Sequence, residues 1–189
     1  MNRQLFYTPG DAGRPKVEVA GEPLAQLNPE LRIRVTHSYL NSAADIGRGI
    51  QGSDLVIRSL DNPPEIITRL NEACLAAGIP SLGGGFLAQG AVVGPTVIPG
   101  KTSCLSCNAP SVFPSANPGI GATFAPVVTT CAGLICGEAI AYLGELGPIR
   151  TAGTVMLIGV PTFAISFIGL PKNENCRACG QRARKAVNA

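Results

Sequence analysis

Residues 54–82 read DLVIRSLDNPPEIITRLNEACLAAGIPSL. Asp54 to Leu60 is a largely apolar run of strand length. After Asp61-Asn62-Pro63-Pro64, the apolar residues Ile66, Ile67, Leu70, Cys74 and Leu75 fall on one face of a helix that Gly78 stops. Asn62 is the expected cap, with Pro63 in the tolerated first turn. Ile79 to Leu82 then returns as a strand. Outward on the N-terminal side, Leu31 to Thr36 (LRIRVT) alternates with period two, as a strand does. On the other side, Gly83-Gly84-Gly85 reads as a permissive bend leading to a further strand over Ala91 to Ile98. Strands and helices therefore alternate, which predicts an α/β fold with a mostly parallel sheet flanked by helices and ligands held outside the carboxyl ends of its strands. Asp61 lies just past such an end.

The 189 residues suit one domain spanning 1–189, and 46% hydrophobic against 14% charged residues supply a core and argue against disorder. A net charge of +3 has its only cluster in Arg177, Arg182, Arg184 and Lys185, a solvated tail, so no nucleic-acid partner is expected. Seven cysteines are an odd number, and MNRQLFYTPGD holds no apolar leader, so a reducing cytoplasm is the expected location. The uncharged run Thr151 to Leu170 has the length of a membrane span. Its glycines, Pro161 and β-branched residues instead predict two buried strands around a turn at Val160-Pro161-Thr162, a C-terminal antiparallel pair with no membrane partner. Thr123 to Leu146 is apolar almost all round, with Glu138 its one charge before Glu145, and reads as a buried helix carrying Cys131 and Cys136 as small core residues. The Pro-, Gly- and Ser-rich stretch Asn108 to Ala122 is a long loop of the functional or mobile kind, and His37 reads as a surface-loop residue.

Two constellations carry chemistry. Cys104-Leu105-Ser106-Cys107 and Cys176-Arg177-Ala178-Cys179-Gly180 form two CxxC knuckles, able to give four thiolates to a structural zinc ion. Disulfide or redox use and coincidence are the competing readings. The zinc reading leaves no open coordination position, so the centre would be structural. The second constellation is Asn2-Arg3-Gln4, Arg14-Pro15-Lys16 and Asp61-Asn62. Asp61 is placed to hold magnesium on a nucleotide, with Lys16 and Arg3 neutralising phosphate oxygens. From spacing alone, a surface aspartate capping a helix and two solvated bases is the stronger account.

The stretch MNRQLFYTPGDAGRPKVEVA resembles the NRQ-(F/L)-Y segment and the following (R/K)-PK motif of the ThiF/MoeB/HesA family, bacterial relatives of ubiquitin-activating enzymes. Leu27-Asn28-Pro29, Asp61-Asn62 after a strand, Asn71-x-Ala73-Cys74, Gly78-Ile79-Pro80 and both CxxC pairs match in the same order. The resemblance implies a Rossmann-like fold and an adenylyltransferase that uses ATP and Mg2+ to activate a carboxylate. The expected partner is a ubiquitin-like sulfur carrier protein or a peptide, presented by its C-terminus. By that likeness Arg3 and Lys16 contact the phosphates, Gln4 lines the nucleotide site with Asn62, Asp61 holds Mg2+, and Cys104, Cys107, Cys176 and Cys179 hold Zn2+. A homodimer, or a heterodimer with a related chain, is implied as well.

The sequence departs from the family in three places. Ahead of the NRQ motif, relatives carry a strand, a glycine-rich turn and a helix that cradle phosphate on backbone N–H groups. Here Met1 stands next to Asn2-Arg3-Gln4, so the expectation is an N-terminally shortened domain. It is then a fragment, or needs that half from elsewhere, or no longer binds ATP and serves as a zinc-stabilised scaffold for an active relative. Where relatives that form a thioester or persulfide have a cysteine, this chain has Pro118, so adenylation without a covalent protein intermediate is expected. Finally, Gly21 and Pro23 interrupt a segment that relatives make helical, which predicts a kink or a restart at Glu22. No GxGxxG fingerprint follows a strand, which speaks against a dinucleotide-dependent oxidoreductase.

Overall fold

A computed structural model describes residues 4–40, 42–60, 62–87, 90–108, 125–159 and 162–180. The unit read first from the sequence is present: strand β1 (Val56–Arg58), helix α3 (Glu65–Ala77) and strand β2 (Ser81–Leu87), with β1 and β2 parallel. Helix α3 buries Ile66, Leu70 and Cys74 against Ile46 and Ile50 of α2 (Ala43–Ile50). Each such aliphatic side chain removed from water contributes about 1.5–3 kcal/mol. A capping box starts α2, with Ser42 Oγ accepting from Asp45 N at 3.1 Å and Asp45 Oδ2 accepting from Ser42 N at 3.0 Å. Gly78 ends α3 at φ +70°, as its sequence position predicts. Asn62 does not cap α3: it is exposed, the cap position is Pro64, and the Pro63 carbonyl accepts from Ile66 N.

The sheet is mixed rather than mostly parallel. Its order is β1-β2-β3-β4-β5, and β3 (Gly90–Val93), β4 (Thr154–Gly159) and β5 (Ala164–Gly169) are all paired antiparallel. Short connections between β2 and β3 and between β4 and β5 force hairpins, because a parallel pair needs a crossover of about a dozen residues. The glycines Gly83-Gly84-Gly85 are not a bend; they lie inside β2. A Cβ on Gly84 would overlap the Val92 carbonyl oxygen and stand 3.1 Å from Cys131 Sγ, so the bare backbone lets a neighbouring strand and a helix approach.

That helix, α4 (Ala125–Leu143), lays Val127, Cys131, Leu134 and Ile135 on Ala91, Val93, Met156 and Ile158 of the sheet. It is not buried all round, and Cys136 is exposed rather than a core residue. Ile140 and Leu143 stand 61% and 56% exposed because no described element covers the helix's outer side. By length and composition α4 could cross a bilayer, yet its inner stripe is committed to the sheet. Glu138 is the anchor: Oε2 accepts from Thr151 Oγ1 at 2.6 Å and Thr151 N at 3.0 Å, tying α4 to the turn before β4. The strand pair over residues 154–169 is antiparallel as expected, but only β4 is buried; β5 is exposed along its length.

The N-terminal segment differs most from expectation. Helix α1 (Lys16–Leu27) runs through Gly21 and Pro23 without restarting at Glu22. A Cβ on Gly21 would meet Val35 Cγ2 at 2.8 Å, so this glycine accommodates packing of residues 31–36 on α1. Those residues form no strand, because no described strand lies beside them to complete a ladder. His37 is exposed and pairs with Glu18 at 3.4 Å, in keeping with a surface position. The Asn108 to Ala122 loop and its Pro118 lie outside the described residues, apart from Asn108 itself, as do Arg182, Arg184 and Lys185.

Candidate functional site

The two CxxC pairs meet. Cys104 precedes a 3-10 turn over Leu105–Cys107, and residues 174–179 fold back on it with Gly180 N donating to the Cys176 carbonyl at 2.8 Å. The Sγ atoms lie 3.8 Å apart for Cys104–Cys107, 3.7 Å for Cys104–Cys176 and 3.4 Å for Cys107–Cys179, and all four lie within 4.8 Å of one another. A tetrahedron of sulfurs about 2.3 Å from a zinc ion has edges of about 3.8 Å, so the donor set fits a tetrahedral thiophilic ion. Burial pushes the Cys104 and Cys179 thiols up. Burial also raises Cys107, but hydrogen bonds from the Asn173 and Cys104 backbone outweigh it and leave that thiol lowered. A cation at the centre is what would hold all four as thiolates. Val97, Leu105, Ile67 and Leu75 pack on the cluster from its inner side, where Cys104 and Cys176 are buried, while Cys107 and Cys179 are half-buried.

The nucleotide candidates are less gathered. Gln4 is half-buried, Lys16 is exposed at the first residue of α1, and Asn62 is exposed four residues past the end of β1. Arg3 and Asp61 lie outside the described residues. A small folded loop presents Lys16: Tyr7 Oη donates to the Lys16 carbonyl at 3.1 Å, and Arg14 pairs with Asp11 at 3.0 Å and with Glu22. The Thr8 backbone N–H, then its hydroxyl, holds the Asp11 carboxyl below the ordinary aspartate value. Among the described residues, hydrogen bonds of residues 4–40 stay within that segment, so α1 is not bonded to the sheet. β1 is an edge strand of the sheet, with Ile57 46% exposed and Leu60, two residues past its end, 43% exposed.

Sequence reasoning missed Arg58, which is buried at the end of β1. One of its terminal nitrogens donates to the Pro95 carbonyl at 2.6 Å, and burial lowers it to about 10, opposed by the Cys74 thiol. Its Nε has no hydrogen-bond partner among the described residues. Within an apolar strand an arginine reads as an edge residue, and no local pattern reveals that it points under α3.

Solved structures with this arrangement include Escherichia coli MccB with ATP, at a TM-score of 0.84 and 26% identity, covering 95% of this chain and 55% of that one. MccB in complex with N-formylated MccA gives 0.85 and 25% identity, over 95% and 56%. Molybdopterin-synthase adenylyltransferase of Escherichia coli is 26% identical over 182 residues, 96% of this chain and 72% of that protein. Protein HesA of Nostoc sp. is 33% identical over 114 residues, 60% of this chain and 42% of the other. The chain thus spans about half the length of the MccB chains it matches. With the ThiF family profile matching residues 1–178, the chain belongs to the ThiF family.

Proposed function

We propose that this chain carries the phosphate- and magnesium-binding side of an ATP-dependent adenylyltransferase acting on the C-terminal carboxylate of a ubiquitin-like sulfur carrier protein or a peptide. The observation that carries the reading is the ThiF match over residues 1–178, which includes the Arg3-Gln4, Lys16 and Asp61-Asn62 positions. The likeness to MccB solved with ATP supports it.

In this reading a carboxylate oxygen attacks the α-phosphorus, an acyl-adenylate forms, the bond to the bridging oxygen breaks, and pyrophosphate leaves. Two anions must meet, so Arg3 and Lys16 act by neutralising phosphate oxygens and holding the line of attack. Gln4 and Asn62 line the nucleotide. Asp61 would hold Mg2+, which supplies charge neutralisation on the phosphates. Cys104, Cys107, Cys176 and Cys179 would hold Zn2+ away from the chemistry. With Pro118 in place of a cysteine, no covalent protein intermediate is involved.

The open edge of β1 supports a further strand beside it, supplied with a glycine-rich phosphate cradle from outside the described residues, and the exposed apolar residues Leu31, Ile33 and Val35 support a further packing partner for their segment. The exposed apolar residues of α4 and β5, among them Ile140, Leu143 and Ile165, support association with a second copy or a related chain. The reading takes residues 1–189 as one cytoplasmic domain.

Calorimetric titration of magnesium-ATP into the protein isolated with whatever chains accompany it in the cell tests the site. Asp61→Ala and Lys16→Ala are each expected to weaken binding at least about tenfold, or about 1.4 kcal/mol. Equal binding by the wild type and both variants, or none by the wild type, would overturn the reading.

A further inference from the structure

Asn71 lies in the middle of α3 and is 0% exposed. A primary amide in that position costs stability unless its dipole is matched. Its partners are the two residues between the first pair of cysteines: Asn71 Oδ1 accepts from Leu105 N at 3.2 Å, and Nδ2 donates to Ser106 Oγ at 3.4 Å. Ile67 and Leu75, one turn to either side on α3, pack on the cluster formed by Val97, Cys104, Leu105 and Cys176. Ile67, Asn71 and Leu75 therefore form one stripe, and the metal knuckle is seated on it.

We propose that Asn71 is a positioning residue of the four-cysteine centre. Its amide fixes the turn that spaces Cys104 from Cys107, and a bound metal in return fixes α3, whose N-terminal end follows Asp61-Asn62. The inference rests on reading the four cysteines as a metal centre. The direction of coupling follows from reciprocity: if the amide favours the loaded geometry, loading favours the helix that presents the amide. The knuckle is thereby tied to the strand-end turn through a single rigid helix.

The test uses cobalt(II) as the probe on the full chain, because its sulfur charge-transfer and d–d bands report the number and geometry of thiolates. Asn71→Leu keeps the branching and the number of side-chain heavy atoms, is somewhat larger, and removes both hydrogen bonds. It is expected to bind cobalt about 10–100-fold more weakly with altered d–d bands, while the loaded variant still melts cooperatively. Ser106→Ala, which removes only the partner of Nδ2, is expected to give a smaller loss and keeps the test open if Asn71→Leu does not fold. In the wild type, cobalt loading is expected to slow amide exchange across residues 65–71. Wild-type affinity and bands in both variants, or exchange in α3 that ignores loading, would overturn the proposal. Failure of the wild type to bind cobalt at all would instead overturn the metal centre itself, and the proposal with it.

Discussion

Removal of metal from the four-cysteine centre, by a chelator or by Cys104→Ser, is expected to lower the thermal midpoint by about 8–16 °C. The centre joins residues 72 positions apart in sequence, Cys104 to Cys176 and Cys107 to Cys179. Closing a loop of that length costs about 4 kcal/mol of chain entropy, which the metal offsets when it is bound. Without it, Cys104 and Cys179, whose thiols burial pushes up, are neutral, and the apolar residues Val97, Leu105, Ile67 and Leu75 pack on a centre with no charge to order it. Residues 171–180 then lose their hold on the knuckle, save for contacts such as Lys172 Nζ to the Gly100 carbonyl at 2.7 Å. The sign with pH follows from the ligand chemistry: the metal ion competes with protons for the thiolates, so acidification releases the ion and reproduces the chelator's effect. Scanning calorimetry with and without chelator, alongside metal analysis, checks this. An unchanged midpoint after complete removal would contradict it.

Gly84→Ala is expected to cost about 3 kcal/mol, whereas Gly85→Ala, one residue on, changes stability by about 0.5 kcal/mol or less. At Gly84 an added Cβ would overlap the Val92 carbonyl oxygen and lie 3.0 Å from Ile135 Cδ1 and 3.1 Å from Cys131 Sγ; at Gly85 it would meet nothing within 4 Å. The first contact is with backbone held in the β2–β3 ladder, which pairs Gly84 with Val93 and Gly85 with Val92 and cannot yield without breaking. The other two belong to α4. Cys131 Sγ donates to the Gly85 and Val92 carbonyls at 3.3 and 3.4 Å, so pushing α4 outward also loses those bonds. Chemical denaturation of the two variants measures the difference. Similar midpoints for both would show that α4 does not sit on bare β2 backbone.

Where a sequence signal depends on one element alone, it was legible. The 3.6-residue spacing of Ile66, Leu70 and Cys74 and the glycine after Ala77 mark α3 and its end, and both belong to the helix itself. The CxxC spacings single out the four cysteines that do come together, because a knuckle is a local structure, whichever sheet it is attached to. Signals that depend on a neighbour were not legible. An apolar run such as Ala91 to Ile98 has the same appearance in a parallel or an antiparallel sheet, and only connection length separates them. LRIRVT alternates like a strand, yet a strand exists only with a partner. Apolar residues all round α4 suggested full burial, but Ile140 and Leu143 face away from the sheet. Asn71 did leave a trace: it is the one polar member of the stripe Ile67, Asn71, Leu75, a position where a buried amide needs a specific partner.

The most direct test of the central claim is ATP–pyrophosphate exchange by the native assembly containing this chain, supplied with a sulfur carrier protein or peptide bearing a free C-terminal carboxylate. Exchange that requires both magnesium and the acceptor, and that falls by at least about a hundredfold in Asp61→Ala while the four-cysteine centre stays loaded, is the expected result. Exchange at the wild-type rate in Asp61→Ala would contradict it, because the chemistry would then belong entirely to another chain.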